Sequence, residues 1–231
     1  MNVTNDSAAP TPQRSGRGRD GASFLLDAFR ARPVARRMLS GVSVLLAVFA
    51  LGLLAYPLYT NVYQGRLQSK LAIDFKKPQT KVAYVAGETA IGNPITKITI
   101  PAADLKPTVV VEGTGESALR AGAGHYPNTP LPGEEGNVAI AGHRTTYGKP
   151  FANLDRLKVG DEIFLETPVG KYTYQVTRDP FVISNNDFTV ISQTPGPTLT
   201  LTTCTPKGSA RQRLVVKAEL VSPTANQPAP A

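Results

Sequence analysis

Residues 38–58, MLSGVSVLLAVFALGLLAYPL, contain no charged side chain, and the charges bounding the run are Arg37 and Arg66. An α-helix rises about 1.5 Å per residue, so a run of this length covers the roughly 30 Å hydrocarbon core of a bilayer. A helix buried in a soluble core is normally shorter and keeps a polar stripe. A cleaved secretory signal has a shorter apolar stretch ending in a small-residue cleavage site, and this run has neither feature. The expectation is an uncleaved membrane anchor over residues 38–59. Arginines crowd its N-terminal flank, which predicts a cytoplasmic N-terminus and an extracellular remainder. Tyr56, Tyr59 and Tyr63 suit an interfacial aromatic belt.

The anchor also explains where the charge sits. The formal net charge is +8, and residues 1–37 alone carry seven arginines against three aspartates. Nearly half of the excess is therefore a membrane flank. No recognition helix or aromatic RNA-binding pattern accompanies it, so a nucleic-acid role is excluded. Residues 1–37 are polar and rich in Gly, Pro and Ser, and are read as a disordered cytoplasmic tail. Residues 60–80 read as an extracellular stalk, partly helical, and residues 223–231 as a second disordered tail.

Residues 81–222 change character. Twenty Gly and twenty Pro with no Trp in the whole chain favour short strands joined by turns. Strand-like pieces recur: ITKITI, PTVVVEG, GNVAIAG, EIFLET and KYTYQVTR around a PVG turn, DPFVIS, FTVIS, TLTLTTC and RLVVKAELV. PFANLDRL (150–157) is the best short helix. The prediction is an all-β barrel of about eight strands with short helices, preceded by one transmembrane helix.

The chain has one cysteine and two histidines. A single cysteine closes no internal disulfide, and this set is too small for most protein zinc sites. No metal or organic cofactor is expected. Cys204 ends a strand on which Thr198, Thr200, Thr202 and Cys204 share a face. Arg213 opens the next strand, with Val215 on its face and Leu214 and Val216 on the other. Paired as an antiparallel hairpin, the two strands bring Cys204 beside Arg213 at the rim. A guanidinium there can favour a thiolate or hold an oxyanion. Arg211 falls in the loop and reads as solvated, and Asp187 reads as a turn residue. A nucleophilic cysteine usually has an imidazole partner. His143 follows a buried strand directly, and His125 sits among small residues and prolines. Spacing alone leaves open an inert packed thiol and a thiol enzyme.

TLTTC, with Arg213 nine residues beyond the cysteine and LVV after it, resembles the active-site signature of sortases, the cysteine transpeptidases of Gram-positive cell surfaces. GNVAIAGHRTTYGKPFANLDRLKVGDEI resembles their histidine segment, and ITIPAADLKPTVVVEGT with LRAGAGHYPNTPLPGEEGN resembles the lead-in. The resemblance covers about residues 86–221 and is greatest to class E; class D and pilin-building class C are alternatives. Nothing upstream of the barrel reads as a class C lid. The resemblance implies an eight-stranded β-barrel, with Cys204 as nucleophile, His143 as acid/base and Arg213 as the oxyanion or substrate-orienting cation. It implies cleavage of an LAxTG or LPxTG sorting motif between Thr and Gly through a thioacyl intermediate. The partners it implies are sorting-motif-bearing secreted proteins and a cell-wall peptidoglycan precursor as amine acceptor. Thr203 would offer a backbone N–H or hydroxyl to the site, and Tyr126 would read the second position of the motif. The rival class is a non-catalytic barrel that binds wall polymer. An L,D-transpeptidase is rejected, because Cys204 follows Thr203 rather than a glycine.

Overall fold

The computed structural model describes residues 33–223, so the expected disordered tails lie outside it except for Pro33–Arg37 and Pro223. The chain divides into two units, Met1–Leu53 and Leu54–Ala231. Helix α1, Pro33–Asp74, is continuous across that division. It is long and apolar enough to cross a membrane, and its Leu45, Phe49, Leu53 and Leu54 side chains stand exposed. An apolar stretch on which none of the described residues pack is stable only where lipid replaces water, which fits a membrane-anchored chain.

The second unit is a closed β-barrel built on period-two alternation. Its strands are β1 Pro94–Ile100, β2 Leu105–Glu112, β3 Ala123–His125, β4 Asn137–Gly142, β5 Glu162–Glu166, β6 Lys171–Val176, β7 Phe181–Ser184, β8 Thr198–Thr205 and β9 Gln212–Pro223. The order β6-β5-β1-β2-β3-β4-β8-β9 closes by pairing of β6 with β9, giving eight barrel strands. β7 is a ninth: it pairs with β9 over residues 212–215, whereas β6 takes residues 218–223 of the same strand. Two of the expected elements, one strand and one helix, differ. FTVIS is not a strand, for Thr189–Ile191 form a 3₁₀ turn, and its place is taken by the three-residue β3. PFANLDRL yields only a 3₁₀ turn at Leu154–Arg156. Two short helices are added, α2 Pro78–Val85 and α3 Glu116–Ala121.

The barrel interior is filled by Ile98, Ile100, Val138, Ile140, Phe151, Leu199, Leu201, Leu214 and Val216, among others. The even-numbered side chains of β8 and the odd-numbered ones of β9 point outward by the same alternation. A second cluster lies outside the barrel, where Leu71 of α1 meets Val109 and Val111 of β2 and Ala118 and Ala121 of α3, with Leu67 and Ala72 packed against it. The last turns of the long helix therefore dock on the barrel.

Candidate active site

The hairpin β8–β9 is antiparallel, and its register sets Cys204 opposite Arg213. The Arg213 Nη1 lies 3.5 Å from the Cys204 Sγ. The same nitrogen donates to the carbonyls of Ala210 (3.1 Å) and Gln212 (3.3 Å), which steadies the guanidinium. Cys204 is half-buried and unpaired. It stands one residue from the end of β8, on the outer face with Thr202 and Thr200. Arg211 is exposed in the loop, as its spacing predicted.

β4 runs parallel to β8, pairing Ala141 with Thr202 at the last step. Continuing that register by two residues brings His143 level with Cys204. Two side-chain bonds hold the alignment on either side of the pair. Thr203 Oγ1 donates to the Gly142 carbonyl at 2.7 Å. Arg144 Nη1 donates to Thr205 Oγ1 at 2.7 Å. The residues before and after the histidine are thus tied to the residues before and after the cysteine. The Thr203 hydroxyl proton is committed to this tie, so an oxyanion contact from Thr203 is left to its backbone.

Arg144 is buried, with a second bond from Nη2 to Asp155 Oδ1 at 3.0 Å. Burial works against the Asp155 carboxylate, but its own backbone N–H and Arg144 outweigh that and leave its pKa below the ordinary value. The chain leaves β4 at Gly142, where a Cβ would meet the Phe151 ring at 2.6 Å, so no larger residue fits ahead of the histidine. Phe151 N–H closes the loop by donating to the His143 carbonyl at 3.1 Å. His143 is half-buried, and its ring lies 5.4 Å from that of Tyr147, centroid to centroid. Burial first, and then the Arg120 guanidinium, hold the imidazole below its ordinary pKa. At neutral pH such a ring is a free base able to accept a thiol proton.

His125, the other candidate, ends β3 and is only 2% exposed. Its Nδ1 meets Glu112 Oε2 at 2.9 Å and its Nε2 meets the Pro130 carbonyl at 3.0 Å. It anchors the loop that carries Tyr126. The Tyr126 hydroxyl reaches Thr202 Oγ1 at 3.0 Å, two residues from the cysteine. Tyr126, Thr202, Arg213, Ile183 and Phe188 line a cavity of about 70 Å³ beside the thiol. Asp187 also borders it, but its Oδ1 accepts from Thr189 N (3.0 Å) and Oγ1 (2.6 Å), the turn role its sequence suggested.

The far wall of that cavity is held by residues that sequence reasoning missed. The Val190 carbonyl accepts from Asn137 Nδ2 at 3.0 Å, from Thr200 Oγ1 at 3.2 Å and from the Lys217 ammonium. Burial, then Arg178, lowers the Lys217 pKa. The signal was present in the alternation, since Thr200 and Lys217 share the outer face with Cys204 and Arg213. Arg144 gave no signal beyond its neighbour, because an arginine in a loop ordinarily reads as solvated.

A model of the sortase domain matches residues 98–221, more than half of the chain, and this stretch contains all of the residues above. Sortase SrtE1 of Streptomyces coelicolor is 27% identical over 206 residues, covering 83% of this chain and 58% of the relative. Sortase SrtE2 of the same organism is 34% identical over 136 residues, covering 53% of this chain and 54% of the relative. The chain thus spans little more than half the length of these curated relatives. Among solved structures, a sortase D5 transpeptidase of Clostridium perfringens superposes with a TM-score of 0.59 at 32% identity, covering 70% of this chain and 99% of the other. Sortase E of Streptomyces avermitilis superposes with a TM-score of 0.54 at 38% identity, covering 61% of this chain and 97% of the other. Family model, barrel and the cysteine–arginine hairpin converge on one conclusion: the chain belongs to the sortase family.

Proposed function

We propose that this chain is a membrane-anchored cysteine transpeptidase that cleaves an LAxTG- or LPxTG-type sorting motif and joins the protein to a cell-wall amine. The observation that carries the reading is the Arg213 guanidinium 3.5 Å from the Cys204 sulfur. The Cys204 sulfur attacks the threonine carbonyl, and its proton passes to His143. The Arg213 guanidinium stabilises the oxyanion that forms. The Thr–Gly bond breaks, and His143 returns the proton to the departing glycine amine. The thioester keeps the acyl group activated until an acceptor amine attacks it, loses its proton to His143 and releases Cys204. Two resemblances to class E enzymes and the placing of Tyr126 beside Thr202 favour Ala at the second motif position. The anchor puts the N-terminus in the cytoplasm and the barrel outside, with arginines on the inner flank.

The test is mass spectrometry of the full chain in detergent with matched LAxTG and LPxTG peptides. A thioacyl adduct on Cys204 is expected, absent in Cys204→Ala, with the LAxTG peptide reacting faster. Arg213→Ala should slow adduct formation by about 10²–10³-fold and Arg211→Ala by only a few-fold, the first being the range for a lost oxyanion donor. Adduct formation by Cys204→Ala would remove the reading.

A further inference from the structure

The loop that carries His143 holds an unfavourable backbone. Tyr147, Gly148 and Lys149 have φ of 48°, 71° and 42°, three successive residues in the left-handed region. Side chains larger than glycine rarely sit there, and such a turn persists only where its surroundings over-determine it. The surroundings here are helix α1. The Gly148 N–H donates to Asn61 Oδ1 at 3.2 Å. A Cβ on Gly148 would stand 2.5 Å from Gln64 Oε1, so the helix lies directly against the turn. The Tyr147 hydroxyl hydrogen-bonds with Tyr56, one of the tyrosines at the end of the apolar run.

The next helical turn supplies the footing. Gln68 Nε2 donates to the carbonyls of Val109 (3.0 Å) and Ala121 (2.8 Å), and its Oε1 accepts from Val109 N–H at 2.7 Å. β3 pairs with β2 only from Val110 onward, so the Gln68 amide completes the edge of β2 where that pairing stops. Asn61, Gln64 and Gln68 fall on one face of a 3.6-residue helix. Leu67 and Leu71 bury the adjoining stripe. The segment expected as a stalk is thus a gripping surface with an apolar foot.

We propose that α1 is a working part of the active site as well as an anchor: its turns from Tyr56 to Gln68 are positioning elements that set the His143 loop against Cys204. The inference rests on the reading of His143 as the proton-exchanging group. The groups recorded against the His143 ring are Tyr147 from its own loop and Arg120 from α3; Glu116 from α3 and Tyr56 and Tyr63 from α1 act on those two in turn. A loosened loop lets water reach the imidazole and moves it from Arg120, and both changes raise its pKa toward the ordinary value.

The experiment uses the full chain in detergent micelles with the LAxTG peptide. Asn61→Ala/Gln64→Ala should lower kcat about ten-fold with KM unchanged, as expected for losing one modest hydrogen bond to the turn together with the side chain packed against it. Lys70→Ala, on the exposed part of the same helix, is the unchanged control. Because the chain has two histidines, imidazole NMR follows His143 separately from turnover. Its titration should move to higher pH in the double variant. Tyr56→Phe removes one hydroxyl without altering packing, and should give a smaller change of the same kind if the double variant does not fold. An unmoved His143 titration with wild-type kcat overturns the proposal. So does a fall in Tm with parallel losses in kcat and KM, which marks a merely structural contact. Absence of any adduct in the wild-type chain, with the His143 titration still moving on helix substitution, fails the transpeptidase reading and leaves the coupling standing.

Discussion

The chain contains the same tripeptide twice, Ala123–Gly124–His125 and Ala141–Gly142–His143, and the two copies lie on adjacent antiparallel strands. Gly124 pairs with Ala141 and His125 with Ile140, so the histidines end up at opposite ends of the pair. His125 faces inward to a buried partner set. One ring nitrogen meets the Glu112 carboxylate and the other meets the Pro130 carbonyl and the Thr129 hydroxyl, so both are occupied. His143 stands half-buried beyond its strand, and its ring has no hydrogen-bond partner among the described residues. An imidazole exchanges a proton with substrate only if one nitrogen is uncommitted. Its place beyond the strand leaves His143 that freedom, and the buried partners of His125 withdraw it.

Substituting each histidine in turn tests the contrast at its largest. His143→Ala should slow adduct formation by about 10²–10⁴-fold, the range for a lost general acid or base, with the thermal melt unchanged. His125→Ala should act through folding. It leaves Glu112 buried without its hydrogen-bond partner, which costs about 1–3 kcal/mol, and any folded fraction should still acylate Cys204. The comparison breaks if His125→Ala melts normally yet forms no adduct.

Arg144 carries the second test, because it holds the free histidine in line without touching a substrate. Its bonds to Thr205 and Asp155 are charge-assisted and shielded from water on the Arg144 side. Such bonds contribute about 1.5–3 kcal/mol each. Arg144→Met should therefore lower stability by a few kcal/mol and also lower kcat more than it raises KM. Arg144→Lys should not restore it, since an ammonium cannot span two partners with the planar fork of a guanidinium. A kcat that follows stability alone, recovered fully at low temperature, would reduce Arg144 to a structural residue.

These two regions were unequally legible in the sequence. Cys204, Arg213 and the faces of Leu214 and Val215 could be read because strand alternation and a hairpin turn determine which residues meet. β3 could not, since Ala123 and Gly124 show no alternation and the strand is a guest between β2 and β4. Its loss hid the pairing of His125 with Glu112, and His125 was left as a loop residue. FTVIS looked like a strand from its β-branched residues, yet Asp187 caps a turn there through both the backbone and hydroxyl of Thr189. The amides of Asn61, Gln64 and Gln68 were invisible for another reason. Polar residues at helical spacing describe a solvated face equally well, and only the position of the β2 edge distinguishes the two.

The finest difference between the histidines is electrostatic. Arg120 sits over the Tyr147 ring, its guanidinium 5.5 Å from the ring centroid, and pairs with Glu116. After burial, it is the second cause holding the His143 pKa down. Removing it in Arg120→Ala should raise the His143 pKa, so that the acid limb of kcat/KM moves to higher pH. The sign follows from the charge: a nearby cation disfavours imidazolium, and its loss lets the ring protonate sooner. Arg120 is exposed, so the shift should shrink at high salt as screening weakens the interaction in the wild type. An acid limb that stays in place at low salt would assign the lowered pKa wholly to burial under Tyr147 and the helix.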